Sequence, residues 1–97
     1  MDILITYDLS KENDRVKAIL VQNGYHDSWM SGETRYTLPN TTLWKKDITH
    51  TQALADMRQA INSVNTNHNL TGNNAIVLER FIAVPAGPWS GIPGIPR

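Results

Sequence analysis

The run Ile3-Leu4-Ile5, continued by Thr6-Tyr7-Asp8-Leu9-Ser10, limits the fold more than any other part of the chain. It is β-branched, short and bounded by the turn-prone Asp8 and Ser10, which predicts a strand covered on both faces and set away from a sheet edge. Asp8 falls where that strand ends and the chain turns toward a helix beginning near Asn13. Its carboxylate is therefore expected at the rim of the sheet, where ligands meet strand ends. An aspartate in that place also serves as a turn cap that accepts backbone amides, and both readings stand on the residues alone. Tyr7 alternates with Asp8, which predicts a core ring with its hydroxyl at the rim.

After the strand, Ser10 or Asn13 can cap a helix whose first turn carries Glu12 and Asp14 at its positive end. Val16, Ile19 and Leu20 recur at the spacing of one buried stripe, and Asn23-Gly24 supplies a left-handed stop. Residues 26–38 change to Trp, Tyr, Thr and Met, a strand composition interrupted at Ser31-Gly32, where a bulge or short turn is expected. Pro39-Asn40 then fills a turn, and residues 41–48 resume strand composition, which predicts an antiparallel hairpin between the two stretches. Thr49-His50-Thr51-Gln52 has the form of a capping box. It opens a helix whose stripe is Leu54, Met57, Ile61 and Val64, with Asp56, Arg58, Gln59 and Asn62 toward water. Residues 65–74 are dense in Asn, Thr and Gly and read as an exposed loop, and residues 75–84 as the last strand.

With 97 residues and a 40% hydrophobic share, the chain has enough apolar material for one two-layer core. Residues 1–84 form that domain, and residues 85–97 a tail whose prolines and glycines bar helix and inner strand, leaving it extended or disordered. Gly91-Ile92-Pro93 recurs there as Gly94-Ile95-Pro96, and Trp89, Ile92 and Ile95 are costly to leave in water, which predicts that the tail lies against a partner subunit. Nine basic side chains balance nine acidic ones, so nucleic acid is drawn by no global field and only by a local patch. The lack of cysteine excludes disulfides and thiolate metal sites and fits a reducing, cytoplasmic compartment. The apolar runs fall short of a membrane span.

Strand, helix, strand, strand, helix, strand is the βαββαβ order of the α+β ferredoxin-like fold, a four-stranded antiparallel sheet with two helices on one face. Its other face is left open, an arrangement that favours closed two-fold pairing into a homodimer.

Ile5-Thr6-Tyr7-Asp8-Leu9-Ser10, then Asn13-Asp14-Arg15-Val16, and Ser28-Trp29-Met30 carry a resemblance to the small CRISPR-associated ferredoxin-fold endoribonucleases and their VapD-like relatives. About thirty positions match. The resemblance implies a homodimer that hydrolyses phosphodiester bonds in RNA or DNA, with Asp8 as the catalytic and metal-binding residue. Two copies of Asp8 would face each other and share Mg²⁺, an ion that takes few carboxylates and keeps its waters. The long stretch from Glu33 to Asp47 and the proline-rich tail depart from that family, which implies a stand-alone relative rather than a part of a spacer-acquisition complex.

Beside Asp8, the sequence offers a patch for a single strand: Trp44 next to Lys45 and Lys46, with Arg35 and Tyr36 across the expected hairpin, and Tyr7 and Arg15 nearer the strand end. The alternative is that Trp44 fills the core or the dimer while the lysines guard an edge strand. His26, His50 and His68 have no metal-type spacing. The serines stand in no nucleophile motif and no glycine-rich phosphate loop follows a strand. A non-catalytic homodimeric module that binds a protein or nucleic-acid partner is the reading from outside enzymology.

Overall fold

The computed structural model describes residues 1–94 and has the element order β1 (Ile3–Leu9), α1 (Asn13–Gln22), β2 (Ser28–Ser31), β3 (Thr34–Thr37), β4 (Thr42–Lys45), α2 (His50–Asn67) and β5 (Leu78–Pro85), with one 3₁₀ turn at Gly72–Asn74. The end of the second Gly-Ile-Pro copy, Ile95 included, lies outside the described residues. The class is α+β, and the strands are antiparallel. They form a three-stranded sheet in the order β4-β1-β5 and a separate β2-β3 hairpin, so the expected single four-stranded sheet is not formed. A lone antiparallel bridge, His26 to Trp44, joins the start of the hairpin to β4.

β1 is central, as its composition predicts, but it is covered on one face only. Ile3, Ile5, Tyr7 and Leu9 are buried against Val16, Leu20, Met57 and Ile61 of the two helices. Leu4 is half-buried, while Thr6 and Asp8 are exposed. The apolar run is continuous because Leu4 is sheltered by the hairpin and tail, a cover that stops before Thr6. On this open face the cross-strand partners of Leu4, Thr6 and Asp8 are Val84, Ile82 and Arg80 of β5, and Trp44 and Thr42 of β4 also point that way.

Residues 26–38 form two strands divided at the expected short turn, and these pair with each other instead of with residues 41–48. Gly32 explains the difference: its φ of 61° opens a two-residue turn, with Ser31 opposite Thr34 and Trp29 opposite Tyr36. β4 instead pairs with β1, after a turn closed by the bond from Thr42 N to Pro39 O at 3.1 Å.

The stop of α1 and the start of α2 follow the sequence more closely than the other two helix ends. Gly24 has φ 101°, Tyr25 N donates to Leu20 O and Gly24 N to Val21 O, the paired bonds of a Schellman motif. At the start of α1 neither expected cap acts. Ser10 Oγ accepts from Val77 N at 2.8 Å, Asn13 Oδ1 is buried without a protein partner, and Glu12 sits at φ 63° with its carboxylate on Arg15. The capping box of α2 is half realised: Thr49 Oγ1 accepts from Gln52 N at 3.0 Å, but the Gln52 side chain donates to Asp56. Asp56, expected in water, also accepts from the Tyr25 hydroxyl at 2.8 Å. α2 runs on to Asn67, and β5 starts only at Leu78, because Ile76 N and Val77 N are taken by the side chains of Asn65 and Ser10. No helix among the described residues is long and apolar enough to cross a membrane.

The tail lies against its own protomer, with Trp89 41% and Ile92 79% exposed. It folds back across the same protomer, fastened by Ala86 N to Asp2 O at 2.9 Å and Thr37 N to Pro93 O at 3.0 Å. Trp89 meets Trp29 and Tyr36 there.

Burial leaves an alkaline signature. It pushes the Tyr7 phenol up to about 12 and, together with the bond to Asp56, raises Tyr25 as well. Both groups ionise more readily in the unfolded chain, so above pH ~10 the unfolded state binds fewer protons. Their contribution is complete below that value and is lost as pH rises toward the folded values. Urea unfolding between pH ~10 and ~12 is expected to show stability falling by about 1.4 kcal/mol per pH unit for each tyrosine. Tyr7→Phe removes its share of that slope, and near pH 7 it is at least as stable as the parent because the Tyr7 hydroxyl is buried without a protein partner.

Candidate functional site

The open face of the sheet carries the two groups of side chains with chemical potential, one at each end of β1. At the C-terminal end Asp8 lies opposite Arg80, and Arg80 Nε donates to Asp8 Oδ2 at 2.6 Å. The period of two in β1 puts Asp8 outside for the same reason that it puts Tyr7 and Leu9 inside. A register shift between Asp8 and Leu9 leaves Glu79 as the extra residue of β5. Both partners are exposed, the Asp8 side chain by 50% and that of Arg80 by 76%. The carboxylate holds the guanidinium above its ordinary value, first by the hydrogen bond and then by charge. Asp8 therefore faces solvent at the strand end, as the sequence predicts, and its hydrogen-bond partner is a guanidinium rather than the backbone amides of the turn.

Beside it on the strand, Tyr7 is on the opposite face, its hydroxyl sealed in the core and not at the rim. Arg15 is in α1, paired with Glu12 at 3.1 Å.

At the other end of β1 the aromatic residues gather. Trp44, 7% exposed, stacks on Trp29 with ring centres 3.9 Å apart and planes 22° apart, and its indole N–H donates to Ser28 O at 2.7 Å. His26 covers another side of Trp44 at 4.8 Å. Trp89 then stands 5.7 Å from Trp29 and edge-on to Tyr36 at 4.9 Å. Hairpin, sheet and tail enclose a groove of about 740 Å³ between them.

The structure does not bring the lysines to these rings. Lys45 alternates with Trp44 and points to the helix side, where its ammonium lies 5.4 Å from the centre of the Tyr25 ring. Lys46 is exposed beyond the end of β4, and Arg35 faces Asp27 at 3.9 Å. Of the expected patch, Trp44 and Tyr36 belong to one aromatic cluster and Lys45, Lys46 and Arg35 do not. Sequence reasoning missed Arg80 and the packing of Trp89. Arg80 leaves a signal, since Glu79-Arg80 interrupts an otherwise apolar strand and such a charge must face away from the core.

No family model, no curated protein and no solved structure matches the chain.

Trp44 is the base on which Trp29 rests. Trp44→Ala is expected to cost about 3–5 kcal/mol of unfolding free energy by chemical denaturation, with loss of the near-ultraviolet dichroism of the stacked indoles. Lys46→Ala is expected to leave both readings within about 0.5 kcal/mol of the parent.

Proposed function

We propose that this chain is a ferredoxin-like domain that acts on nucleic acid as a homodimer, hydrolysing phosphodiester bonds at Asp8. The observation that carries the reading is the solvent-facing pair of Asp8 and Arg80, an anion that can hold a cation and a cation that can hold a phosphate, 2.6 Å apart on one strand pair. The order β4-β1-β5 with both helices on one face supports the ferredoxin-like assignment. So does the His26 bridge, which stands outside β4 where a fourth strand would lie.

Arg80 uses its Nε on Asp8, so its terminal nitrogens remain for a phosphate oxygen among the described residues. Once Arg80 turns to a phosphate, Asp8 is released. A single carboxylate per protomer fits Mg²⁺, which is held by one or two carboxylates, waters and substrate phosphate. When bound, the ion supplies a water of lowered pKa. Ile82 and Val84, 57% and 41% exposed on the same face, are the aliphatic surface that pairing would cover.

A second reading has an observation of its own. Asp8 already has a charged partner in Arg80, which suits a non-catalytic homodimeric module whose open face binds a macromolecule and whose Asp8 is structural.

Incubation of the purified chain with labelled RNA and DNA, with and without Mg²⁺, separates the two. Metal-dependent cleavage abolished by Asp8→Ala and weakened by Arg80→Ala is expected; cleavage that persists in Asp8→Ala, or none at all, removes the hydrolase reading. Light scattering is expected to give a dimer that Ile82→Asp dissociates, and a parent that is monomeric at all concentrations counts against both readings.

The balanced net charge leaves few cations for phosphates. Oligonucleotide binding is expected to weaken with salt along a shallow slope of log K on log salt, about −1 to −2, given ~0.7 per phosphate contacted on a single strand. A slope several times steeper would point to a basic surface other than Arg80.

A further inference from the structure

The groove at the Trp29 end of the open face has no part in the chemistry assigned to Asp8, and its construction is that of a ligand site. Its volume of about 740 Å³ is in the range of small-molecule pockets. It is walled on three sides: Leu4 and Thr42 of the sheet, Trp29 and Tyr36 of the hairpin, and the tail with Trp89. We propose that this groove binds one uncharged heteroaromatic ring, a nucleobase, stacked on its indoles.

Four observations carry the proposal. The first is rigidity: the stack on Trp44 fixes the Trp29 ring, and Trp44 is itself held by the bond to Ser28 O. A ring that binds here meets a surface already in place, which lowers the cost of ordering. The second is charge. Among the described residues no charged side chain lines the groove, so a charged group would lose its hydration without a partner, whereas a neutral ring loses little. The third is the set of neutral polar groups on the walls. Tyr36, Ser90 and Trp89 line the groove, and among the described residues their hydroxyls and indole N–H make no hydrogen bond within the protein. They suit the mixed donor and acceptor edge of a base. The fourth is position. Leu4, at the groove, and Asp8 are on the same face of one strand and four residues apart, or ~13 Å at the rise of a strand. A strand whose base enters the groove would run along β1 toward Arg80.

A proline-rich peptide, the other guest of aromatic grooves, fits less well because the chain's own tail has taken that role. Gly91 packs so closely on the Trp89 and Tyr36 rings that a Cβ there would come within 3.2 Å of Trp89, and the Pro93 carbonyl already accepts from Thr37 N.

The identity of the base's source rests on the nucleic-acid reading above; the pocket itself is tested without it, using free nucleosides. Adenosine, guanosine, cytidine and uridine are titrated into the full chain while tryptophan fluorescence and amide and indole NMR shifts are followed, with ribose and a PxxP peptide as control arms. At least one nucleoside is expected to quench the fluorescence with a dissociation constant below about 1 mM and to shift the signals of Trp29, Thr37, Trp89 and Gly91, with no effect from ribose. Trp89→Ala is expected to weaken binding about tenfold or more, and Trp89→Phe to restore most of it. The amide signals of Ser28, Met30 and Arg35, retained in both variants, verify that the hairpin is still folded. No nucleoside response up to about 10 mM, shifts confined to the helix side, or a response to the peptide alone would each overturn the proposal. Oligonucleotide cleavage or binding without any nucleoside response leaves the function at Asp8 standing and removes this pocket; the reverse result does the opposite.

Discussion

Every other contact in this molecule is referred to the burial of one side of β1. Because successive side chains of a strand leave on opposite faces, Ile3, Ile5, Tyr7 and Leu9 bind both helices while Leu4, Thr6 and Asp8 are assigned to the other side with no freedom to change. A slip of one residue would place Asp8 in the core and expose three aliphatic side chains, an exchange that fixes the register of both neighbouring strands. The chemistry on the open face is thus a by-product of packing on the closed one: Asp8 meets Arg80 because Ile5 meets Ala83 three pairs earlier on the same ladder.

The parts legible in the sequence are those governed by local rules. The strand at Ile3, the stop at Gly24, the cap at Thr49 and the stripe through Met57 and Val64 each follow from a few neighbouring residues and a known backbone preference. The place of Asp8 at the rim was readable from the end of the strand, whereas its exposure by alternation was not, because the strand read as covered on both faces. Where the reading departs from the structure, a distant partner decided. Ser10 is a good cap by itself, but the Val77 amide sixty-seven positions later claims its hydroxyl. Asp56 is a surface residue by period, but the Tyr25 hydroxyl crosses to it. Residues 26–38 have the composition of one long strand, and only the left-handed turn at Gly32 folds them onto themselves. A glycine between strand formers is compatible with a bulge or with a reversal, and nothing nearby chooses between them.

The aromatic cluster shows the same limit from the side of function. Trp44 beside Lys45 and Lys46 reads as one patch along the chain, yet in a strand consecutive residues are the ones least able to act together. The groups that do converge, Trp29, Tyr36, Trp44 and Trp89, come from three strands and the tail. Their common property is placement on the open face, which depends on pairings that no short window contains.

The tail segment between Ala86 and Pro93 is buckled at both ends, to the Asp2 carbonyl and to the Thr37 amide. A strap held so cannot swing on one hinge; it can only unfasten. With both clasps closed, a guest passes only through the mouth of the cavity, so its size is limited by that opening unless a clasp breaks.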